Sequence, residues 1–205
     1  MVKKLNPIQV REKLVEKDLL FFSPRDFQAL FNVSKSATQK FIHQYTKKGL
    51  FLKVRNGLYV LKDRIPPYFL LANKTYEPSY ISLETALSYY GLIPETVYSV
   101  TSITTKPTRE FDVLGVSFDY FKIKSSVFCG YRLQRIQDSN YSFLIAEPEK
   151  ALADYLYFTA LDKRSLNERL DVSSLDADRV RGWADMFDQT RMNSLISDLF
   201  PKNNS

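Results

Sequence analysis

The sequence predicts an α+β protein, with a basic helical N-terminal segment that closes in a β-hairpin and a mixed α/β remainder. Three observations carry this expectation. Positive charge is concentrated at one end: residues 1–64 hold 14 Lys+Arg against 5 Asp+Glu, whereas residues 65–205 hold 15 against 18. Capped helical periodicities in that basic end are followed by strand-type alternation around Asn56-Gly57. A stretch rich in Val, Ile, Thr, Phe and Tyr, from Tyr98 to about Leu144, is then flanked by helical segments. The expected division is a first domain over 1–64, a linker helix and loop over 65–80, and a second domain over 81–205.

The first helix is expected from Ile8 to about Leu20, with Val10, Leu14, Val15 and Leu19 mostly at helical spacing. Ser23-Pro24 has the form of an N-cap followed by a first-turn proline, opening a second helix that breaks at Asn32-Val33. Ser34 is the next N-cap, and Gly49, after Lys47 and Lys48, is placed to end the third helix. Two short helices joined by a three- or four-residue turn form a helix-turn-helix. In the third helix Ala37, Phe41, Ile42 and Tyr45 form the inward stripe, leaving Lys35, Ser36, Gln39, Lys40 and His43 outward. Those outward groups are donors and acceptors of the kind that reach phosphates and base edges in a major groove. "LFLKVRNGLYVLK" then predicts a hairpin with a two-residue type I′ turn at Asn56-Gly57. Helix order, caps and a basic hairpin together predict a winged helix-turn-helix. Lys35, Ser36, Gln39, Lys40 and His43 are its candidate groove-facing residues, and Lys47, Lys48, Lys53 and Arg55 its candidate phosphate contacts.

Ile65-Pro66-Pro67 closes the basic unit, because proline cannot continue a ladder. Ser82 and Gly91 bracket a capped helix. Strands are expected near 97–104, 109–114, 116–123, 128–136 and 141–145, with a turn at Leu114-Gly115. Glu147-Pro148 starts a helix whose Ala151, Leu152, Tyr155, Leu156 and Phe158 are core-like, and two more helices are expected near 176–188 and 190–199.

Composition excludes several chemistries. Cys129 is the only cysteine, so no intramolecular disulfide and no thiolate cluster is possible. His43 is the only histidine and suits a surface contact better than a metal ligand. The six glycines are too widely spaced for a phosphate-cradling loop, and no Lys follows Asp or Glu at the two-residue step common in metal-dependent nucleases. Glu147, Glu149 and Asp154 could converge on a cation, but a helix start attracts acidic residues anyway. No catalytic residue, metal or cofactor is therefore expected. With no apolar run of about 18 residues and no signal-type N-terminus, a cytoplasmic protein without a membrane partner is expected.

Two segments carry a resemblance: "YISLETALSYYGLIPE", with Ser82, Ala86, Tyr90, Gly91 and Leu92, and "IAEPEKALADYLYF", with Pro148, Glu149, Lys150, Ala151, Leu152 and Asp154. Following a winged unit whose tip reads Arg55-Asn56-Gly57-Leu58-Tyr59, they make the chain resemble the AbiEi family of antitoxin-type transcriptional regulators. The resemblance runs from about Leu19 to Leu199. It implies a type IV antitoxin that represses its own operon at repeated sites in double-stranded DNA, with possible self-association there. It also implies a nucleotidyltransferase-like toxin, opposed without a stable complex, and a role in phage defence. It supplies no catalytic residue. Two other readings stand beside it: a winged helix that binds protein, and a metal-dependent enzyme acting on nucleotides or nucleic acid through Glu149 or Asp154.

Overall fold

The computed structural model describes residues 5–95 and 98–201. The chain divides into two compact units, Met1–Pro67 and Tyr68–Ser205. The described residues form eight α-helices and two β-sheets, a mixed α+β architecture. Among them no helix is long and apolar enough to cross a membrane.

In the first unit, helix α1 (Pro7–Glu16) starts where the Asn6 side chain accepts the Ile8 amide at 2.9 Å. It stops one turn before the expected end at Leu20. Asp18 takes a left-handed φ of 52°, and the Leu19 amide turns back to the Leu14 carbonyl at 3.0 Å. Aspartate is one of the few residues that tolerates this conformation without glycine's freedom. Helix α2 (Pro24–Phe31) opens with a reciprocal capping box: Asp26 N–H donates to Ser23 Oγ, and Ser23 N–H to the Asp26 carboxylate. After a turn at 32–34, the Ser34 hydroxyl caps α3 (Lys35–Lys47).

Strands β1 (Phe51–Arg55) and β2 (Leu58–Leu61) form the hairpin, but its turn is not the expected type I′. That turn needs positive φ at both central residues, and only Gly57 has one, at 78°. A non-primed turn splays the strands, and the ladder absorbs the mismatch through an irregularity between Lys53 and Arg55. The hairpin is tied down by Phe22, which exchanges two 3.0 Å backbone hydrogen bonds with Tyr59.

The core of this unit is aromatic. Phe22, Phe27, Phe41 and Phe51 are buried with Val10, Leu14, Ile42 and Leu61, and the Phe22 and Phe51 rings meet edge to face at 5.0 Å. Replacing Phe27, which is fully buried and touches Phe22, Phe31, Phe41 and Phe51, should remove about 3–5 kcal/mol. Chemical denaturation of Phe27→Ala, followed by circular dichroism, measures it.

The second unit is a six-stranded mixed sheet with α-helices on both faces. The stretch expected as a linker instead supplies two of its elements. Helix α4 (Tyr68–Thr75) has Leu71 and Ala72 fully buried, and β3 (Ser79–Ile81) lies inside the sheet. At three residues, β3 is too short to show a period. The other strands are β4 (Val100–Thr104), β5 (Arg109–Val113), β6 (Val116–Lys122), β7 (Tyr131–Arg135) and β8 (Ser142–Ala146). Their order is β5-β6-β4-β3-β8-β7, with β4 parallel to β6 and β3 parallel to β8. Residue 97, where a strand was expected to begin, lies outside the described residues.

The type I′ geometry occurs here, at Leu114-Gly115, where φ is 57° and 80° and Val113 pairs with Val116. Tyr80 and its register partner Ile103 face one side of the sheet; Ser102 and Tyr120, also in register, face the other. On that second side Tyr120 donates to the Ala72 carbonyl of α4 at 2.6 Å. Helix α5 (Leu83–Tyr89) and helix α6 (Pro148–Ala160) cover the first side, and α7 (Ala177–Asp185) and α8 (Thr190–Leu199) pack on α6.

Candidate nucleic-acid interface

The face of α3 is what its sequence promised. Lys35, Ser36, Gln39, Lys40 and His43 are all exposed, as are Lys47 and Lys48 in its last turn and Lys53 on β1. The inward side holds Phe41 and Ile42, while Ala37 and Tyr45 are only half-buried and Thr38 is fully buried instead. Thirteen residues make a rod about 20 Å long and about 10–12 Å across with its side chains, a diameter that a major groove roughly 12 Å wide admits.

What distinguishes this face from an ordinary polar helix surface is the placement of carboxylates. From Phe27 to Lys62 there is no Asp or Glu, against seven cations: Lys35, Lys40, Lys47, Lys48, Lys53, Arg55 and Lys62. Four of the unit's five acids are engaged elsewhere, and the fifth, Glu12, lies exposed on α1. Asp63 pairs with Arg11 at 2.6 Å, Glu16 with Lys13 at 3.0 Å, Asp18 with Arg64, and Asp26 closes the α2 cap. Among the described residues none of the seven cations enters an ion pair, and Lys48 rests over the Tyr45 ring at 5.5 Å. Arg55 differs from the others. It is half-buried, its Nη1 donates to the Asn56 carbonyl at 3.1 Å, and its buried Nε has no partner. The guanidinium is thereby held against the hairpin turn, and part of its donor set is turned away from solvent.

Neither a scan against protein-family models nor a search of curated proteins matched the chain. The residues alone carry the functional argument.

In the second unit Ser82, Lys150 and Asp154 are brought together, but in the interior. Lys150 and Asp154, one turn apart on α6, form an ion pair in which both side chains have no exposure. The Asp154 carboxylate also accepts from Ser82 Oγ at 2.8 Å and Tyr80 OH at 3.0 Å, and the Lys150 ammonium reaches Tyr80 OH at 3.1 Å. Rings of Tyr80 and Phe187 complete the surroundings of Lys150, 5.6 and 4.9 Å from its Nζ. Burial pushes the Asp154 carboxyl above its ordinary range, against the pull of Lys150, Ser82 and Tyr80. Burial, with Asp154 alongside, also holds the Tyr80 hydroxyl well above its usual value.

Ser82 therefore does not cap α5 as expected. Its hydroxyl is drawn to Asp154, and the Thr85 amide finds Thr101 Oγ1 instead, at 3.2 Å. Gly130 permits the close approach: a Cβ there would lie 2.9 Å from both Lys150 Cγ and Trp183. Cys129 sits half-buried just before β7 rather than within a strand, since the positive φ of Gly130, 70°, delays the strand to Tyr131.

Glu147, Glu149 and Asp154 do not converge. Glu147 and Glu149 turn to Arg179 of α7, at 2.6 and 3.4 Å, while Asp154 is consumed by Lys150. Among the described residues no group of three or more His, Cys, Asp or Glu is arranged to hold a metal. Tyr80 is the member of the cluster that its sequence did not betray, since its partners lie about seventy positions away.

Removing one partner of such a pair leaves a buried charge unanswered and should cost about 3–5 kcal/mol, whereas replacing both with apolar groups should cost far less. Denaturation midpoints of Lys150→Met, Asp154→Leu and the double variant test this, with the double variant expected above either single one.

Proposed function

We propose that the chain is a DNA-binding transcriptional repressor whose first unit is a winged helix-turn-helix. Helix α3 lies in the major groove and the β1–β2 hairpin against the backbone. The observation that carries this reading is the acid-free face of α3 and β1, where a row of exposed cations has no carboxylate to answer it. Such a face raises the local concentration of a polyanion and gains affinity by releasing its counterions. Lys35, Ser36, Gln39, Lys40 and His43 contact base edges and adjoining phosphates. Lys47, Lys48 and Lys53 contact phosphates, and Arg55, held against the turn, presents its remaining donors to the backbone.

One α3 and one hairpin span a half-site, so paired or repeated sites are expected. The likeness of "YISLETALSYYGLIPE" and "IAEPEKALADYLYF" to AbiEi-type regulators supports the further reading of an autoregulating type IV antitoxin. Its counterpart would be a nucleotidyltransferase-like toxin. In that reading the Lys150–Asp154 cluster holds the second domain together and takes no part in chemistry.

The test is a gel-shift titration against the DNA upstream of the protein's own gene, with a random duplex as competitor, at several salt concentrations. With about five phosphates neutralised per protomer, the log–log salt slope should lie near −4 to −5. Gln39→Ala should lower discrimination between the two duplexes by about 1–3 kcal/mol, while Lys53→Ala weakens both alike. Equal, salt-insensitive binding to both duplexes would overturn the reading.

A further inference from the structure

We infer that Lys62, which follows the hairpin and is not part of α3, is a DNA-backbone contact that completes a three-lysine phosphate site at the C-terminal end of α3. The inference rests on the DNA-binding reading above and adds a residue and a place to it.

The backbone positions this side chain. Lys62 N–H donates to the Leu50 carbonyl at 3.0 Å, which fixes the residue just beyond the last pair of the hairpin, Phe51 with Leu61. Its stem then runs back over Gly49, where α3 ends in a left-handed turn with φ of 77°. Cδ and Nζ lie 3.8 and 3.6 Å from where a Cβ on Gly49 would be. The ammonium is thus carried to the turn that immediately follows Lys47 and Lys48, both exposed. Lys62 adds a cation from beyond the hairpin to the end of the helix that carries Lys47 and Lys48, and no Asp or Glu lies between Phe27 and Lys62.

A structural role for Lys62 would be to bond the helix's last carbonyls, whose negative end favours a cation. The ammonium makes no hydrogen bond and no ion pair among the described residues. The Tyr45 and Thr46 carbonyls are already taken by the Leu50 and Gly49 amides. All three ammonium donors are therefore available to an outside anion. Gathered like charges repel unless an anion joins them, and a phosphate of the duplex is the anion that the rest of this face is shaped for.

Lys62→Gln and Lys62→Arg, each confirmed by its melting curve to be folded, are titrated with the upstream duplex and with a random duplex across a salt series. One lost phosphate contact should make the log–log slope of Lys62→Gln shallower by about 0.9. Affinity should fall equally on both duplexes, and Lys62→Arg should restore it. A Lys62→Gln slope equal to wild type, on a wild-type protein that does bind with salt dependence, overturns the assignment of Lys62 alone. A loss that falls on the upstream duplex only overturns it too, since it would mark a base contact. Wild-type protein that shows no salt-dependent binding overturns the DNA reading itself.

Discussion

A cation leaves water only if something answers its charge, and both units of this chain are organised by that constraint. In the second unit Lys150 is fully buried, and its surroundings exist to meet it. Asp154 one turn on supplies the opposite charge, Tyr80 and Ser82 occupy the remaining oxygens and donors, and aromatic rings close the shell. The cluster joins α6 to β3 and to the start of α5, so the short central strand and the long helix are held in one geometry. Gly130 is required at the same place, because any side chain there would strike Lys150 and Trp183.

The first unit applies the same rule in reverse. All five of its carboxylates lie outside α3 and β1, and three of them, Asp63, Glu16 and Asp18, pair with Arg11, Lys13 and Arg64. The lysines of α3 and β1 are left to solvent. Beneath them an aromatic core of Phe22, Phe27, Phe41 and Phe51 packs helix and hairpin together. A surface of unanswered like charges costs stability in isolation, and association with a polyanion relieves it. That is the physical content of the proposed DNA contact.

Local chemistry made much of this legible. The caps at Ser23 and Ser34, the stop at Gly49 and the outward set of α3 all come from interactions between residues within four positions of one another. The strands β4 to β6 and β8 were recognisable from β-branched and aromatic runs. Two details departed from the local pattern. Asp18 ends α1 although aspartate is a weak stop signal, and Asn56-Gly57 carries the composition of a type I′ turn without adopting it. Leu114-Gly115, where a turn was expected, adopts that geometry even though leucine is a poor candidate for positive φ. In each case pairing and packing elsewhere outweighed a preference worth about 1–2 kcal/mol.

By itself the sequence determined the charge asymmetry, the order of helices and hairpin, and which side chains of α3 face outward. These follow from periodicity and caps, which act over one or two turns of chain. Only the tertiary structure decided that residues 68–81 belong to the second unit, that Ser82 serves Asp154 instead of its own helix, and that Glu147 and Glu149 turn away from Asp154 toward Arg179. It also decided that Lys62 reaches the end of α3. Those outcomes join residues from thirteen to more than seventy positions apart, and such a pairing is selected by the burial and charge of the whole fold, leaving no trace in the local pattern.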